Sequence, residues 1–159
     1  MRDIIENQYG WLMYSISQCE KALKSTLLEC RGREEWAGQR GGYLCIADGI
    51  NGLPLVTVLM GEVSLQKAPK YLEFCQEKAA RLAGHRDHES SYESRNPGKD
   101  RWGGAVRCGN KIFSFSGLPE LGDEAVMLKA ALLSNTPIEV LERIAQRSNN
   151  PYWAAVRQL

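Results

Sequence analysis

The fold is decided by residues 102–133, which read WGGAVRCGNKIFSFSGLPELGDEAVMLKAALL. Two apolar stretches, residues 105–106 and 112–115, flank a turn that contains Gly109 and Asn110. In the second stretch apolar and small polar residues alternate, which is typical of a strand with two different faces. We therefore expect a β-hairpin at this point of the chain.

A helix is predicted directly after this hairpin. Gly117 turns the chain, and Asp123 is a plausible N-cap, because its carboxylate can accept hydrogen bonds from the free amides of a first helical turn. Residues 124–133 are then expected to form an amphipathic helix. Its apolar positions recur at helical spacing and define the buried face: Ala125, Leu128, Ala131 and Leu132.

The first part of the chain adds a helix and a second hairpin. Apolar residues recur at three- and four-residue spacing through residues 1–31, with Gly10 as an expected interruption of the helix. Residues 43–48 and 55–60 are apolar runs of strand length. The stretch 49–52 between them ends in Asn-Gly, which favours a tight reversal.

A further helix is predicted over residues 67–83, with Pro69 tolerated in its first turn. The apolar positions of this helix form a stripe that we expect to be buried: Tyr71, Leu72, Phe74, Cys75, Ala79 and Leu82. Its charged positions are expected to face water: Glu73, Glu77, Lys78 and Arg81.

The C-terminal region, residues 137–159, is predicted to be helical, and Thr136 and Glu139 have the spacing of a capping box. Paired hairpins separated by helices favour an α+β sandwich, in which helices pack on an antiparallel sheet of four to five strands. The length fits one domain over residues 1–159, with the core sheet and helices within 43–133.

The composition argues against several classes of function. With 20 Lys+Arg against 19 Asp+Glu, the formal charge is +1, so we expect neither nucleic acid nor a membrane surface as a partner. The five cysteines are odd in number and lack Cys-x-x-Cys spacing, which argues against a disulfide framework and a zinc ribbon. Neither a signal peptide nor a membrane-spanning run is visible, and a cytoplasmic location is expected.

Residues 84–101 form a long polar loop, and loops of this length in a compact domain are usually functional or disordered. His85 and His88 lie in this loop beside Asp87 and Glu89. Imidazoles and carboxylates this close together can hold a divalent metal, although a solvated loop that carries two histidines accounts for the same pattern.

Five residues are candidates for a ligand site. Tyr92 and Trp102 can line an aromatic mouth, while Ser114, Ser116 and Asp123 place polar groups at one end of the second hairpin. Each has an ordinary structural alternative, since tryptophans anchor cores, serines occupy outer strand faces, and an acid at a helix start is a cap. The sequence leaves both interpretations open.

Cys108 is a candidate reactive thiol. It is expected in an exposed turn between Arg107 and Lys111, where neighbouring cations can lower a thiol pKa. The sequence identifies neither a base nor an oxyanion site for it, so a catalytic role is not predicted.

Several motifs of residues 43–133 resemble the GlcG/HbpS-like family, also called the haem-degrading domain family. They are a double glycine before a strand, a glycine turn, a strand ending in Ser-Gly and an acidic helix start, present here as Gly103-Gly104, Gly109, Ser116-Gly117 and Asp123-Glu124-Ala125. The stretch 47–55 looks like the first hairpin of the family, and Lys78-Ala79 stands where a similar Lys-Ala pair is common. The chain differs from the family in Phe113-Ser-Phe-Ser-Gly and in Ala105 after the double glycine.

This resemblance implies a profilin-like α/β sandwich that is often oligomeric, with a small-molecule or haem-binding role in some members. A small-molecule-binding or sensory domain is therefore expected, with haem or a divalent metal as conceivable cofactors and a homo-oligomer as the expected state. Two alternatives stay open: a protein-interaction or assembly module that uses the sheet, and a metal-assisted enzyme that uses His85 and His88. No catalytic signature is visible in the residues, which favours binding over catalysis.

Overall fold

A computed structural model of the chain describes the backbone of residues 2–158 and the side chains from residue 9 onward; Met1 and Leu159 lie outside the described residues. The helices and strands follow one another as α1 (Arg2–Glu29), β1 (Arg40–Asp48), β2 (Pro54–Glu62), α2 (Ala68–Ala83), β3 (Ala105–Cys108), β4 (Lys111–Ser116), α3 (Glu120–Leu133), α4 (Ile138–Ser148) and α5 (Trp153–Val156). Short 3-10 helices lie at Glu34–Trp36, Ser91–Ser94 and Pro97–Lys99.

The four strands form one antiparallel sheet in the order β2-β1-β4-β3. Each predicted hairpin forms, and the two hairpins join where β1 pairs with β4, from Tyr43 opposite Ser116 to Asp48 opposite Lys111. The prediction of an α+β fold with an antiparallel sheet of four to five strands is therefore confirmed, and the sheet has four strands.

Helices cover both faces of this sheet because its central strands are apolar on both sides. In β1, Leu44 and Ile46 belong to a large core that includes residues of α1, α3, α4 and α5. Cys45 and Ala47 belong to a smaller core under α2. Alternate residues of a strand point to opposite faces, so β1 contributes to both cores.

β1 begins at Arg40, three residues before the predicted start, and includes Gly41 and Gly42. A Cβ atom on Gly42 would lie 2.1 Å from the carbonyl oxygen of Ser116, so only glycine allows β1 to approach β4 this closely. Gly41 and Gly42 therefore extend the strand at its start.

One predicted helix interruption and two predicted helix starts are wrong. α1 runs through Gly10 without interruption. α3 begins at Glu120 after Pro119, which places Asp123 within the first turn rather than at the cap. α4 has Pro137 at its N-cap without a side-chain cap, and the hydroxyl of Thr136 lies 3.1 Å from the sulfur of Cys108. A glycine inside a helix costs only about 1 kcal/mol, which a helix of 28 residues outweighs. Asp123 does not cap α3 because its carboxylate accepts from the amides of the preceding turn, Gly117 and Leu118.

Candidate functional site

A cavity of about 420 Å³ lies where the start of α2, the end of β4 and the start of α3 meet. Residues just before β3 close its remaining side. The cavity is lined by Lys67, Lys70, Tyr71, Phe74, Lys78, Asp100, Trp102, Ser116, Leu118, Glu120 and Asp123.

α2 contributes one continuous stripe of side chains to this cavity. Lys70, Phe74 and Lys78 follow one another at four-residue spacing, which places them on the same face of the helix. Tyr71 and Phe74 are half-buried, and the ammonium of Lys70 lies 5.2 Å from the centre of the Phe74 ring. The stripe therefore presents a cationic rim and an aromatic wall.

A buried ion pair forms the floor of the cavity. The Nζ atom of Lys78 donates to a carboxylate oxygen of Asp123 at 2.9 Å and to the carbonyl oxygen of Phe115 at 2.8 Å. The other carboxylate oxygen of Asp123 accepts from the backbone amides of Gly117 at 3.1 Å and Leu118 at 2.8 Å. The pair thus joins α2, β4 and the turn that precedes α3.

Burial raises the pKa of Asp123 from its ordinary value of 3.8 to about 6, against the opposing effects of the Lys78 ammonium and the two amides. The carboxyl group is therefore mostly ionised at neutral pH, and its charge is compensated within the floor. A charge that is buried but fully hydrogen-bonded is held in one geometry.

The expectation that Lys78 faces water is wrong: its exposed fraction is 2%. The polar pattern of α2 predicts a solvated face, yet the segment before β3 folds over that face and covers it. Gly104 makes this possible, because a Cβ atom at that position would lie 2.8 Å from the Lys78 Nζ atom. The one sequence signal that singled out Lys78 was the Lys-Ala pair of the family resemblance.

Three of the five predicted ligand residues come together in the cavity: Trp102, Ser116 and Asp123. Ser114 does not line it, because its hydroxyl is buried under α2 and donates to the carbonyl oxygen of Cys75 at 2.7 Å. Tyr92 also lies outside the lining, and the guanidinium of Arg95 covers its ring at 5.0 Å.

Residues 84–101 are anchored by side-chain hydrogen bonds rather than free in solvent. The guanidinium of Arg81 donates to the carbonyl oxygen of Ser91 and the hydroxyl of Ser94, both at 2.7 Å, and to the carbonyl oxygen of Trp102. Glu89 accepts two hydrogen bonds of 2.7 Å from Arg143 of α4. The segment therefore forms a fixed wall behind Trp102.

Glu120 closes the mouth of the cavity on the side of α3. Its carboxylate accepts two hydrogen bonds of 2.7 Å from Arg95 and one of 2.8 Å from the amide of Gly103. The negative charge of Glu120 is thus compensated by Arg95.

His85 and His88 lie on top of each other, with ring centres 4.6 Å apart and planes 8° from parallel. The Nδ1 atom of His85 lies 2.8 Å from the carbonyl oxygen of Arg81, and neither ring lines the cavity. Within the described part of the chain, no three His, Cys, Asp or Glu side chains group so as to hold a metal ion.

Cys108 is half-buried rather than exposed, and burial raises the pKa of its thiol. The prediction of a thiol pKa lowered by Arg107 and Lys111 is therefore wrong. The guanidinium of Arg107 donates instead to backbone carbonyl oxygens, including those of Gly49 at 2.7 Å and Leu82 at 2.9 Å. All five cysteines are free thiols.

The cavity does not fit a haem held by the commonest iron ligands. Haem iron is usually bound by His, Cys or Met, and no residue of these types lines the cavity within residues 9–158. Tyr71 belongs to a rarer class of haem ligand, and the basic rim would suit any acidic group. The lining therefore argues for another kind of small molecule.

Glu124 of α3 lies in a separate buried position beside the end of α4. One of its carboxylate oxygens accepts hydrogen bonds from Ser148 and, at 2.8 Å, from Asn150. The other is buried without a hydrogen-bond partner within the described residues. Burial raises the pKa of Glu124 from 4.5 to about 7, so the group titrates near neutral pH.

Among protein-family models, curated proteins and solved structures, none matches this chain. No helix within residues 2–158 is both long and apolar enough to cross a membrane.

Replacing Lys78 with Met is expected to lower the free energy of unfolding by about 3–5 kcal/mol, because the carboxylate of Asp123 is left buried without its cation. The double variant K78M/D123N should recover much of that loss, since the Asn carbonyl still accepts the two amides. Urea unfolding of the three proteins measures both effects. A loss below about 1 kcal/mol in K78M would contradict the buried ion pair.

Replacing Glu124 with Gln is expected to make stability less dependent on pH. The folded-state pKa is raised, so this group stabilises the fold below its ordinary pKa and loses that contribution as the pH rises towards about 7. The advantage of E124Q over wild type should therefore grow between about pH 5 and about pH 8, by at most about 3 kcal/mol. Urea unfolding of wild type and E124Q at the two pH values tests this, with the exposed Glu139→Gln as control. A stability difference between E124Q and wild type that is the same at both pH values would contradict the prediction.

Proposed function

We propose that this protein is a small-molecule-binding domain, of a kind suited to sensing, and that its ligand occupies the cavity between α2, β4 and Trp102. The observation that carries the proposal is the cavity of about 420 Å³ with aromatic walls and a polar floor. Pockets for small organic molecules commonly span about 300–1,000 Å³ and combine apolar walls with a few fixed polar groups.

The hydrogen bonds made by the buried charges favour binding over catalysis. Lys78 and Asp123 bond to each other and to backbone groups, so neither is poised as a free nucleophile or base. Their geometry suits a rigid binding floor, which holds a ligand without transforming it.

Kinship with the GlcG/HbpS-like family and its profilin-like fold is part of this proposal. Two features support it: the order of hairpin, helix, hairpin and helix, and the position of Lys78 against the acidic start of α3. In this interpretation the Lys-Ala pair, the double glycine and the acidic helix start belong to one structural unit, the floor of the cavity.

A second candidate function is self-assembly through the outer strand β2. β2 is an edge of the sheet, and its side chains Leu55 and Leu59 are 45% and 49% exposed. Leu53 and Leu65 lie on the flanks of the strand and are also exposed. An apolar strand edge whose one charged residue, Glu62, stands at the end of the strand is the kind of surface that pairs with another chain.

The Trp102→Ala variant is expected to lose ligand binding because it removes one aromatic wall of the cavity. A panel of small organic acids, amines and neutral aromatic compounds is first screened against wild type by thermal shift. The affinities of the compounds that bind are then measured by calorimetry. Any compound bound by wild type should bind Trp102→Ala at least about tenfold more weakly, a difference of about 1.4 kcal/mol. Trp11→Ala, which removes a tryptophan outside this cavity, is the matched control; equal losses in both variants would contradict the assignment.

Self-assembly is tested by light scattering of the purified protein across a range of concentrations. If β2 mediates it, the Leu55→Lys/Leu59→Lys variant should be monomeric where wild type is a dimer, because buried unpaired lysines strongly oppose edge pairing. The control is Leu28→Lys, at another exposed leucine. A wild-type protein that stays monomeric at all concentrations would remove this candidate.

A further inference from the structure

We infer that the ligand of this cavity is a monocarboxylate with an apolar, preferably aromatic, body. The inference rests on the proposed binding function and names the chemistry of the ligand. It is carried by three independent features of the cavity: the charges that remain uncompensated, the polar groups that lack a partner, and the nature of the walls.

The uncompensated charge of the cavity is positive. Asp123 is compensated by Lys78, and Glu120 is compensated by Arg95. Two exposed lysines of the lining, Lys67 and Lys70, form no salt bridge within residues 9–158, and neither does Asp100, which also lines the cavity. Two cations against one anion leave a single net positive charge, which suits one negative charge on the ligand and opposes a dianion.

Two hydrogen-bond donors on the floor are left without a protein acceptor. Ser116 lines the cavity and is 3% exposed, and its hydroxyl makes no hydrogen bond to the described residues. The ammonium of Lys78 has three N–H groups, of which Phe115 and Asp123 accept two. The third remains for a group bound in the cavity.

These two donors match the acceptors of a carboxylate. A carboxylate offers two oxygens in one plane and no donor, so it can take one hydrogen bond from Ser116 and one from Lys78. A phosphate monoester carries more charge and more acceptors than this floor satisfies. A cationic ligand would meet the ammonium of Lys78 at the floor and two uncompensated lysines against the single uncompensated carboxylate of Asp100 at the rim.

The walls define the remainder of the ligand. Trp102, Tyr71 and Phe74 supply half-buried aromatic surface above the floor, where an apolar or ring-shaped body gains from burial and stacking. The cavity has the volume of roughly fourteen water molecules at about 30 Å³ each, which is enough for a single ring with a short acidic side chain.

The test compares three probes that share a phenyl ring and a short chain: 3-phenylpropionate, its neutral amide of the same shape, and 3-phenylpropylamine. Calorimetry with the unmodified 159-residue chain should show that the carboxylate binds at least about tenfold more tightly than the amide, because hydrogen bonds to a charged group are the stronger ones. The amine should bind more weakly than either. Raising the salt from about 0.02 M to about 0.5 M should weaken carboxylate binding several-fold through screening of the rim lysines.

Variants test whether the floor and the rim of the cavity cause the preference for a carboxylate. Ser116→Ala should reduce carboxylate affinity about tenfold while leaving that of the amide nearly unchanged. Lys67→Gln/Lys70→Gln should reduce carboxylate affinity several-fold and remove most of its salt dependence. The charge-matched control is Lys21→Gln/Lys24→Gln on α1, which should change neither quantity.

Two results would overturn the inference and leave the proposed function standing. One is an amide or amine that binds as tightly as the carboxylate and still loses binding in Trp102→Ala. The other is carboxylate binding that Ser116→Ala and the rim variant leave unchanged while Trp102→Ala abolishes it. Absence of binding by all three probes also overturns the inference, and the wider panel with Trp102→Ala then decides the proposed function separately.

Discussion

The buried ion pair between Lys78 and Asp123 is the contact on which the surrounding structure depends. It joins the middle of α2 to the first turn of α3 and, through the carbonyl of Phe115, to the end of β4. A buried charge without its partner is strongly destabilising, so neighbouring elements must keep both groups in place. Gly104 is one consequence, since any side chain there would collide with both members of the pair.

Hydrogen bonds from charged side chains also hold the long polar segment before β3 in place. The segment contains two short 3-10 helices, and its backbone groups are satisfied partly by local backbone hydrogen bonds and partly by side chains of neighbouring helices and strands. Arg81 and Arg107 donate to several carbonyl oxygens in and around the segment, and Glu120 accepts from the Gly103 amide. Charged side chains thus add to the local backbone hydrogen bonds and keep the segment in place as one wall of the cavity.

The elements could largely be predicted from the sequence, because apolar periodicity follows directly from which faces are buried. The site could be predicted in part. Trp102, Ser116 and Asp123 were identified as polar and aromatic groups near one end of a hairpin, and they do share the cavity. Ser114 lies on the same face of β4, but α2 covers it, so its hydroxyl is used within the core.

The sequence by itself determined the strands, the helices and their antiparallel hairpins, because these depend on residues close together along the chain. Only the tertiary structure decided what the charged residues do. Lys78 has the pattern of a solvated helix position, yet Asp123, 45 residues later, makes it the floor of a cavity. Whether a charge is solvated or buried depends on which distant segment covers it, and local sequence patterns carry little information about that.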